Sequence, residues 1–321
     1  MSRTKSPRLP SAVAAAALTA TIVLLGAFFS PATARAVIID TLSGAGNTSA
    51  PADDPGWANV GLRGIGTGVY LGDRWVLTAA HVGPGDIVLS GTTYSAQAGS
   101  MMTLNNAFDP TQNDPADLIL YRLTTDPGLP FLSIASSQLA MNAGVTMIGN
   151  GRNRGAFKTW SINQSTTPWT WTESSTNVAA AGYAYESTRA MRWGTNEIAG
   201  ATWLQYNIGT QQNPDLRDVR SLVTTFTFNS DFYSNEAQAT TGDSGGGVFY
   251  KNGSNWELAG IMVAVAGFSG QPGNTAVFGN VTYVADLSYY RPQILAVVPE
   301  PSALALAALG IAAACLARRR R

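Results

Sequence analysis

Residues 241–247, which read TGDSGGG, place a serine between an acidic residue and a run of glycines. Glycines allow a tight turn where bulky side chains would block a substrate, and they leave backbone N–H groups free to face a carbonyl oxygen. Ser244 therefore has the setting of a nucleophile. Because a hydroxyl at its own pKa is a poor nucleophile, this interpretation requires a general base within hydrogen-bond reach and a third group that orients the base.

Only one histidine exists in the chain, so His81 is the single imidazole available as a base. It follows the apolar, β-branched run WVLTAA, which predicts the end of a strand. The orienting carboxylate is best sought where an acidic residue leads directly into another apolar strand, and Asp117 does so before LILY. Asp114 and Asp109 are nearby alternatives that lead into no such strand. The alternative to a functional role is that Asp117 is simply a turn or strand-start residue, because Asp is common at such positions.

Three blocks in this order, LTAAH at 77–81, DLIL at 117–120 and GDSGG at 242–246, resemble the signature blocks of the chymotrypsin/trypsin-like serine proteases, the S1 family of the PA clan. The order His, Asp, Ser is that of chymotrypsin and differs from those of subtilisin and the α/β-hydrolases. The resemblance covers residues 37 to 296 in layout. It implies an all-β fold of two packed antiparallel β-barrels, with the active site in the cleft between them.

The resemblance also implies roles for individual residues. Ser244 attacks the substrate, His81 shuttles the proton and Asp117 holds the imidazole. The backbone N–H groups of Gly242 and Ser244 form the oxyanion hole. Asp243 receives the amine of a newly exposed apolar N-terminus in a zymogen-type ion pair.

Residues 37–39 could supply that N-terminus, although the glycines that usually follow it in the family are absent. By the same resemblance, the substrate pocket is formed by Gln238, Ala239, Val263, Ala264 and Val265. No acidic residue occupies the matched floor of the pocket, which does not support a preference for Arg or Lys. Glu236 is close enough in sequence to keep that point open.

Composition narrows the class of protein. The 321 residues are 45% hydrophobic and only 12% charged, with 33 glycines and 20 basic against 20 acidic residues. This indicates a globular, loop-rich body with no electrostatic case for binding nucleic acid. One cysteine cannot form an internal disulfide, and one histidine with one cysteine excludes the usual zinc ligand sets. We expect no cofactor and assign no metal site, while a calcium site built from oxygen ligands stays open.

Short β-rich runs separated by turn residues predict a first barrel over residues 55–123 and a second over residues 131–296. Residues 160–213 are rich in Thr, Ser, Trp, Asn and Gln without a clear period, and part of this segment is predicted to be lengthened surface loops. Its tryptophans either pack on the barrel or line a substrate groove, and packing is favoured because Trp is highly buried on average. A terminal helix is predicted over residues 287–296.

The N-terminus has the three parts of a secretory signal peptide. Basic Arg3, Lys5 and Arg8 precede the apolar residues 13–29, and the small-residue segment SPATARA follows. Cleavage is predicted after Ala34 or Ala36, which makes residues 1–36 the signal peptide. The protein is therefore expected to be exported.

The C-terminal segment 297–321 contains Pro299, Glu300 and Pro301, an apolar stretch over 302–317 and a cluster of four arginines. It is similar to the PEP-CTERM sorting signal of Gram-negative-type bacteria, in which an exosortase recognises and removes such a tail. The resemblance implies an exosortase-like partner and transient anchoring in the inner membrane through the apolar helix. At 16 residues that helix is slightly short of the about 20 residues of a stable span, and a plain tail anchor is the alternative.

Together these features predict a serine endopeptidase that is exported to the cell surface or the medium and hydrolyses proteins or peptides through an acyl-enzyme. The alternative is a non-catalytic surface adhesin or binding module on a protease fold. Such a module would be expected to lack Ser244, His81 or the glycine of the oxyanion hole, and all three are present.

Overall fold

A computed structural model of the chain describes residues 37–41, 44–106, 114–228 and 235–298, all of which belong to one compact unit. The strands are β1 (Ile38–Ile39), β2 (Val60–Arg63), β3 (Gly66–Gly72), β4 (Trp75–Thr78), β5 (Ile87–Leu89), β6 (Thr92–Tyr94), β7 (Met102–Asn105), β8 (Pro115–Arg122), β9 (Gly144–Gly149), β10 (Arg152–Asn163), β11 (Thr170–Glu173), β12 (Ala180–Arg189), β13 (Arg192–Asn207), β14 (Leu216–Thr225), β15 (Ala237–Gln238), β16 (Gly247–Asn252), β17 (Asn255–Ala266), β18 (Thr275–Val277) and β19 (Val281–Asp286). A 3₁₀ turn spans Trp57–Asn59, and one α-helix, α1, spans Leu287–Leu295.

The first half forms a seven-stranded antiparallel sheet in the order β6-β5-β2-β3-β4-β8-β7. Tight hairpins hold the neighbouring strands in register. Asp73 and Arg74, between β3 and β4, both have positive φ, of 43° and 67°. A two-residue loop with this geometry matches the right-handed twist of the strands that it joins. The hairpin thereby places β4, which leads to His81, beside β3.

The second half forms a closed six-stranded barrel in the order β13-β14-β19-β17-β16-β9. The largest buried cluster joins the two halves, because it includes Leu77 and Leu118 of the first sheet together with Ile148 and Phe249 of the barrel. Burial of apolar surface is the main driving force for such packing. The all-β, chymotrypsin-like fold class is confirmed, with β4 and β8 packed against the barrel.

In segment 160–213, the predicted surface loops are confined to the connections between strands. Most of it is extended: β10, β11 and β12 form a four-stranded sheet with β18, and β13 is a long barrel strand. The aromatic and β-branched residues favour strands. Because much of this sheet is exposed on both faces, its strands lack the alternation of apolar and polar residues by which a half-buried strand is predicted from sequence. Trp160 is 4% exposed and packs edge-on against Trp171, with ring centroids 5.9 Å apart. For Trp160, packing is thus the correct alternative.

The terminal helix α1 follows the prediction closely. The Asp286 side chain caps it by accepting from the Ser288 N–H at 3.1 Å, as expected for an acidic N-cap. Leu287, Tyr290 and Ile294 face the core. Within the described ranges, no helix has the length and apolarity needed to cross a membrane. The predicted signal peptide, the sorting motif at Pro299 to Pro301 and the predicted membrane helix lie outside the described residues.

Candidate active site

His81 and Asp117 meet where two adjacent strands of the first sheet end and begin. β4 pairs with β8 through Thr78 and Ile119, so the chain leaving β4 passes Asp117. The His81 backbone N–H donates to Asp117 Oδ1 at 2.8 Å, and His81 Nδ1 lies 2.6 Å from Asp117 Oδ2. Asp117 is fully buried. With Nδ1 as the donor to this carboxylate, the second ring nitrogen of neutral His81 is an acceptor.

The two alternative carboxylates have different positions. Asp114 Oδ1 accepts from the Asn106 side-chain amide at 3.3 Å, and no contact joins Asp114 to the imidazole in the part of the chain that is described. Asp109 lies outside the described residues. Of the predicted candidates that the structure describes, Asp117 alone contacts His81.

Ser244 lies in the turn between β15 and β16, and that turn is fixed by backbone hydrogen bonds to both halves. The Ser244 carbonyl accepts from the Thr67 N–H, and the Gly245 N–H donates to the Met262 carbonyl, each at 2.8 Å. Gly245 has φ 85°, and a Cβ there would overlap the Thr67 carbonyl oxygen. Only glycine combines this backbone conformation with so close an approach.

Two backbone N–H groups of this turn, those of Gly242 and Ser244, are available to a ligand. Gly242 has φ 108°, and its carbonyl accepts from Thr67 Oγ1 at 2.9 Å, which fixes the orientation of the turn. Among the described residues, neither the Gly242 N–H nor the Ser244 N–H donates to a protein acceptor. Paired backbone N–H groups of this kind can stabilise a developing oxyanion.

His81 and Ser244 line the same cavity, whose volume is about 460 Å³. The described contacts include no hydrogen bond between the Ser244 hydroxyl and the His81 ring. Catalytic hydrogen bonds are often long in the absence of substrate and tighten when it binds. Among the described residues, no Asp, Glu, Lys or Arg side chain lines the cavity. Its lining comprises Ile65, Gly66, His81, Val82, Ala239, Thr240, Thr241, Gly242, Ser244, Met262, Val263, Ala264 and Val265.

Four of the five predicted pocket residues line this cavity, namely Ala239, Val263, Ala264 and Val265. Gln238 does not. It is 1% exposed and pairs with Ile38 of β1, and its Oε1 has no hydrogen-bond partner among the residues that the structure describes. Strand alternation explains the difference, because consecutive side chains point to opposite faces.

The structure excludes Glu236 from the cavity beside Ser244 and adds Ile65 to it. Glu236 lines a separate cavity of about 560 Å³, and its carboxylate accepts from the Thr227 N–H and hydroxyl, both at 2.6 Å. It therefore adds no charge to the cavity beside Ser244. Ile65, in the turn between β2 and β3, does line that cavity. No signal near the serine or the histidine in sequence indicates this residue.

Asp243 is fully buried beside the start of the described chain. Its Oδ2 accepts from the Thr240 N–H at 2.7 Å, and its Oδ1 accepts from the Gly151 N–H at 2.7 Å and from the backbone nitrogen of Val37 at 3.4 Å. Burial raises the pKa of this carboxyl to about 6, although the hydrogen bonds from Thr240, Gly151 and Val37 act in the opposite direction. Val37 is itself 1% exposed.

Tyr206 is a site residue that the sequence does not reveal. Its hydroxyl donates to Asp117 Oδ2, the same oxygen that accepts the hydrogen bond from His81 Nδ1. Tyr206 lies on β13, and the fold alone brings it to the carboxylate. In the described residues, no group of three or more His, Cys, Asp or Glu side chains is arranged to hold a metal ion.

Two protein-family models match the sequence. The model of the family described as Trypsin matches residues 44–287. The chain belongs to the trypsin family. A second model, for the PEP-CTERM protein-sorting motif, matches residues 297–321. No curated protein matches the sequence.

Solved structures similar to this trypsin-family chain have low sequence identity. The inactive form of the Rv3671c protease of M. tuberculosis is 17% identical over 75% of this chain and 88% of that chain, with a TM-score of 0.41. Human heparin binding protein is 16% identical over 77% and 94%, with a TM-score of 0.45. Mouse neuropsin, a serine protease, is 17% identical over 79% and 98%, with a TM-score of 0.44.

Proposed function

We propose that this chain is a surface-sorted serine endopeptidase in which Ser244, His81 and Asp117 act as a triad. The observation that carries the proposal is the bidentate hold of buried Asp117 on His81, beside a cavity that His81 shares with Ser244. The oriented imidazole, an adjacent hydroxyl and two backbone donors are the parts that acyl transfer needs.

In the proposed reaction, Ser244 Oγ attacks the scissile carbonyl carbon while His81 Nε2 accepts its proton. The carbonyl oxygen becomes an oxyanion that the Gly242 and Ser244 N–H groups stabilise. Asp117 stabilises the imidazolium that forms. His81 then gives the proton to the leaving amine, which breaks the C–N bond and leaves an acyl-enzyme. Water hydrolyses this ester by the same steps, and Ser244 recovers its proton.

The cavity favours an uncharged side chain on the acyl side of the cleaved bond. Ala239, Val263 and Met262 give it an apolar wall, and burying an unpaired charge there is costly. We expect peptide substrates with Ala, Val or Leu at this position to be cleaved with kcat/KM roughly 100-fold above those with Arg or Lys. A panel of chromogenic peptides that differ only at this residue measures the ratio.

The control for this panel is Ala239→Asp, which adds a carboxylate to the cavity wall. It should lower the rate for apolar substrates and raise that for Arg and Lys. Faster cleavage after Arg or Lys by the wild-type protein would overturn the proposed pocket, and hydrolysis of no peptide by well-folded protein would count against the peptidase itself.

Maturation is proposed to join the N-terminus to the active-site turn. The Val37 nitrogen lies beside the buried Asp243 carboxylate, which has no cationic side-chain partner among the described residues. Cleavage after Ala36 makes this nitrogen an ammonium group, and an opposite charge at this distance favours the ionised carboxylate. Removal of the signal peptide then orders the turn that carries Gly242 and Ser244.

We expect intact-mass analysis of protein from the cell surface or the medium to give a chain that begins at Val37 and lacks Arg318 to Arg321. The start at Val37 follows from signal-peptide cleavage. The loss of the arginines follows from removal of the segment 297–321, which matches the PEP-CTERM sorting motif. Protein from a strain without the sorting enzyme is the control and should keep its arginines. Arg321 on the mature extracellular protein would contradict the sorting proposal and favour a plain tail anchor.

A further inference from the structure

Within the described part of the chain, the Asp117 carboxylate accepts from three hydrogen-bond donors and pairs with no lysine or arginine. Oδ1 accepts from the His81 backbone N–H, while Oδ2 accepts from both His81 Nδ1 and the Tyr206 hydroxyl. No lysine or arginine in the described residues forms a salt bridge with it. A fully buried carboxylate depends on such donors to remain ionised. Tyr206 is the one donor of the three that does not belong to His81.

Two neighbouring residues attach the β13–β14 hairpin to β8. Tyr206 is the register partner of Arg217 across the hairpin. Arg217 Nη1 donates to the Ala116 carbonyl at 3.4 Å, and the Tyr206 hydroxyl reaches the next residue, Asp117. Asp215 fixes the guanidinium in turn through two hydrogen bonds of 2.6 and 2.7 Å. The hydrogen bonds of Arg217 to Ala116 and Asp215 therefore fix the hairpin that places the Tyr206 hydroxyl next to Asp117.

The proton of this hydroxyl remains in place across the pH range of enzyme assays. Burial, together with the charge of Asp117, raises the pKa of Tyr206 well above its ordinary value, and Tyr290 acts in the same direction. Arg217 has the opposite and smaller effect. The hydroxyl is thus a neutral donor, and its hydrogen bond competes with that of the imidazole for one oxygen.

We propose that Tyr206 is a positioning residue for the triad: its hydroxyl shares Asp117 Oδ2 with His81 Nδ1 and thereby sets the strength and direction of the bond that orients the imidazole. The consequence for catalysis rests on the proposed function, whereas the effect on the His81–Asp117 bond does not. The competing explanation is that Tyr206 only packs in the interior.

The single histidine of the chain makes the test direct, because the imidazole resonances of ¹⁵N-labelled mature protein have one possible origin. In Tyr206→Phe, Oδ2 loses one donor and becomes a stronger acceptor for His81 Nδ1–H. We expect the proton resonance of this N–H to move downfield. For the same reason the imidazolium form gains stability, so the acid limb of kcat/KM should move to higher pH by about half a unit.

The kinetic expectation is a roughly tenfold fall in kcat with KM little changed. Without the hydroxyl, Asp117 no longer holds the imidazole in the direction of Ser244, and this loss of alignment outweighs the gain in imidazole basicity. KM changes little because Tyr206 lines no part of the substrate cavity. Tyr70→Phe is the matched control. The Tyr70 hydroxyl also donates to a carboxylate, Asp126 Oδ1 at 2.6 Å, and no hydrogen bond among the described residues joins Tyr70 to Asp117 or His81. This variant should lose comparable stability on heating while its histidine resonance and pH profile stay as in the wild type.

An unmoved histidine resonance and pH profile in folded Tyr206→Phe would overturn the proposal. A shifted resonance in a protein that cleaves no peptide would sustain the positioning contact and reject the peptidase. Should Tyr206→Phe fail to fold, 3-fluorotyrosine at position 206 keeps the ring and hydroxyl and makes the donor stronger. The resonance must then move upfield, and its failure to do so would equally overturn the proposal.

Discussion

Ser244→Ala is expected to lower kcat by about 10⁶, because the nucleophile and its base act as one unit and the remaining groups give only residual catalysis. The fold should persist, since the turn is held by the backbone of residues 244 and 245 rather than by the hydroxyl. The measurement is hydrolysis of the best chromogenic peptide, together with the melting temperature of both proteins. Ser254→Ala, in the exposed turn between β16 and β17, is the control and should keep wild-type activity.

Retention of more than about 1% of wild-type activity by folded Ser244→Ala would contradict the assignment, since it lies far above the residual rate of a broken triad. A loss of activity that accompanies unfolding would be uninformative alone. The melting temperature therefore decides which reading applies.

Asp117→Asn is expected to lower kcat/KM by about 10⁴. The asparagine preserves the shape, but its amide presents a donor where His81 Nδ1–H needs an acceptor, so the imidazole adopts the wrong tautomer. The measurement is kcat/KM at neutral pH for the same peptide.

Asp114→Asn is the matched control for this variant, because Asp114 directly precedes the same strand and is one of the two alternative carboxylates. It contacts Asn106 rather than His81, so its replacement should change kcat/KM less than about threefold, as for most changes outside the site. Equal losses in the two variants would mean that neither carboxylate is specific to His81.

Local sequence blocks predict much of this molecule. His81, Asp117 and Ser244 each follow or precede a short apolar run, and those runs form β4, β8 and β16. The contact between His81 and Asp117 follows from adjacent strands. The glycines of the turn are also readable, since Gly242 and Gly245 adopt positive φ that other residues rarely tolerate.

Contacts made between distant segments could not be read in this way. Tyr206 reaches Asp117 across 89 residues, and Ile65 enters the cavity from a turn of the first sheet. Neither carries a local pattern that distinguishes it from an ordinary barrel or turn residue. The strands within 160–213 were missed for a related reason, since a sheet with exposed faces has no clear two-residue apolar period.

The central claim is that Ser244 is a nucleophile activated by His81, and labelling with a fluorophosphonate tests it most directly. Mass spectrometry of digested wild-type protein should find one phosphonyl adduct, located on Ser244, and His81→Ala should lose it while remaining folded. An unlabelled Ser244 in correctly matured, folded protein, or equal labelling in His81→Ala, would contradict the account and favour a non-catalytic binding module on the trypsin fold.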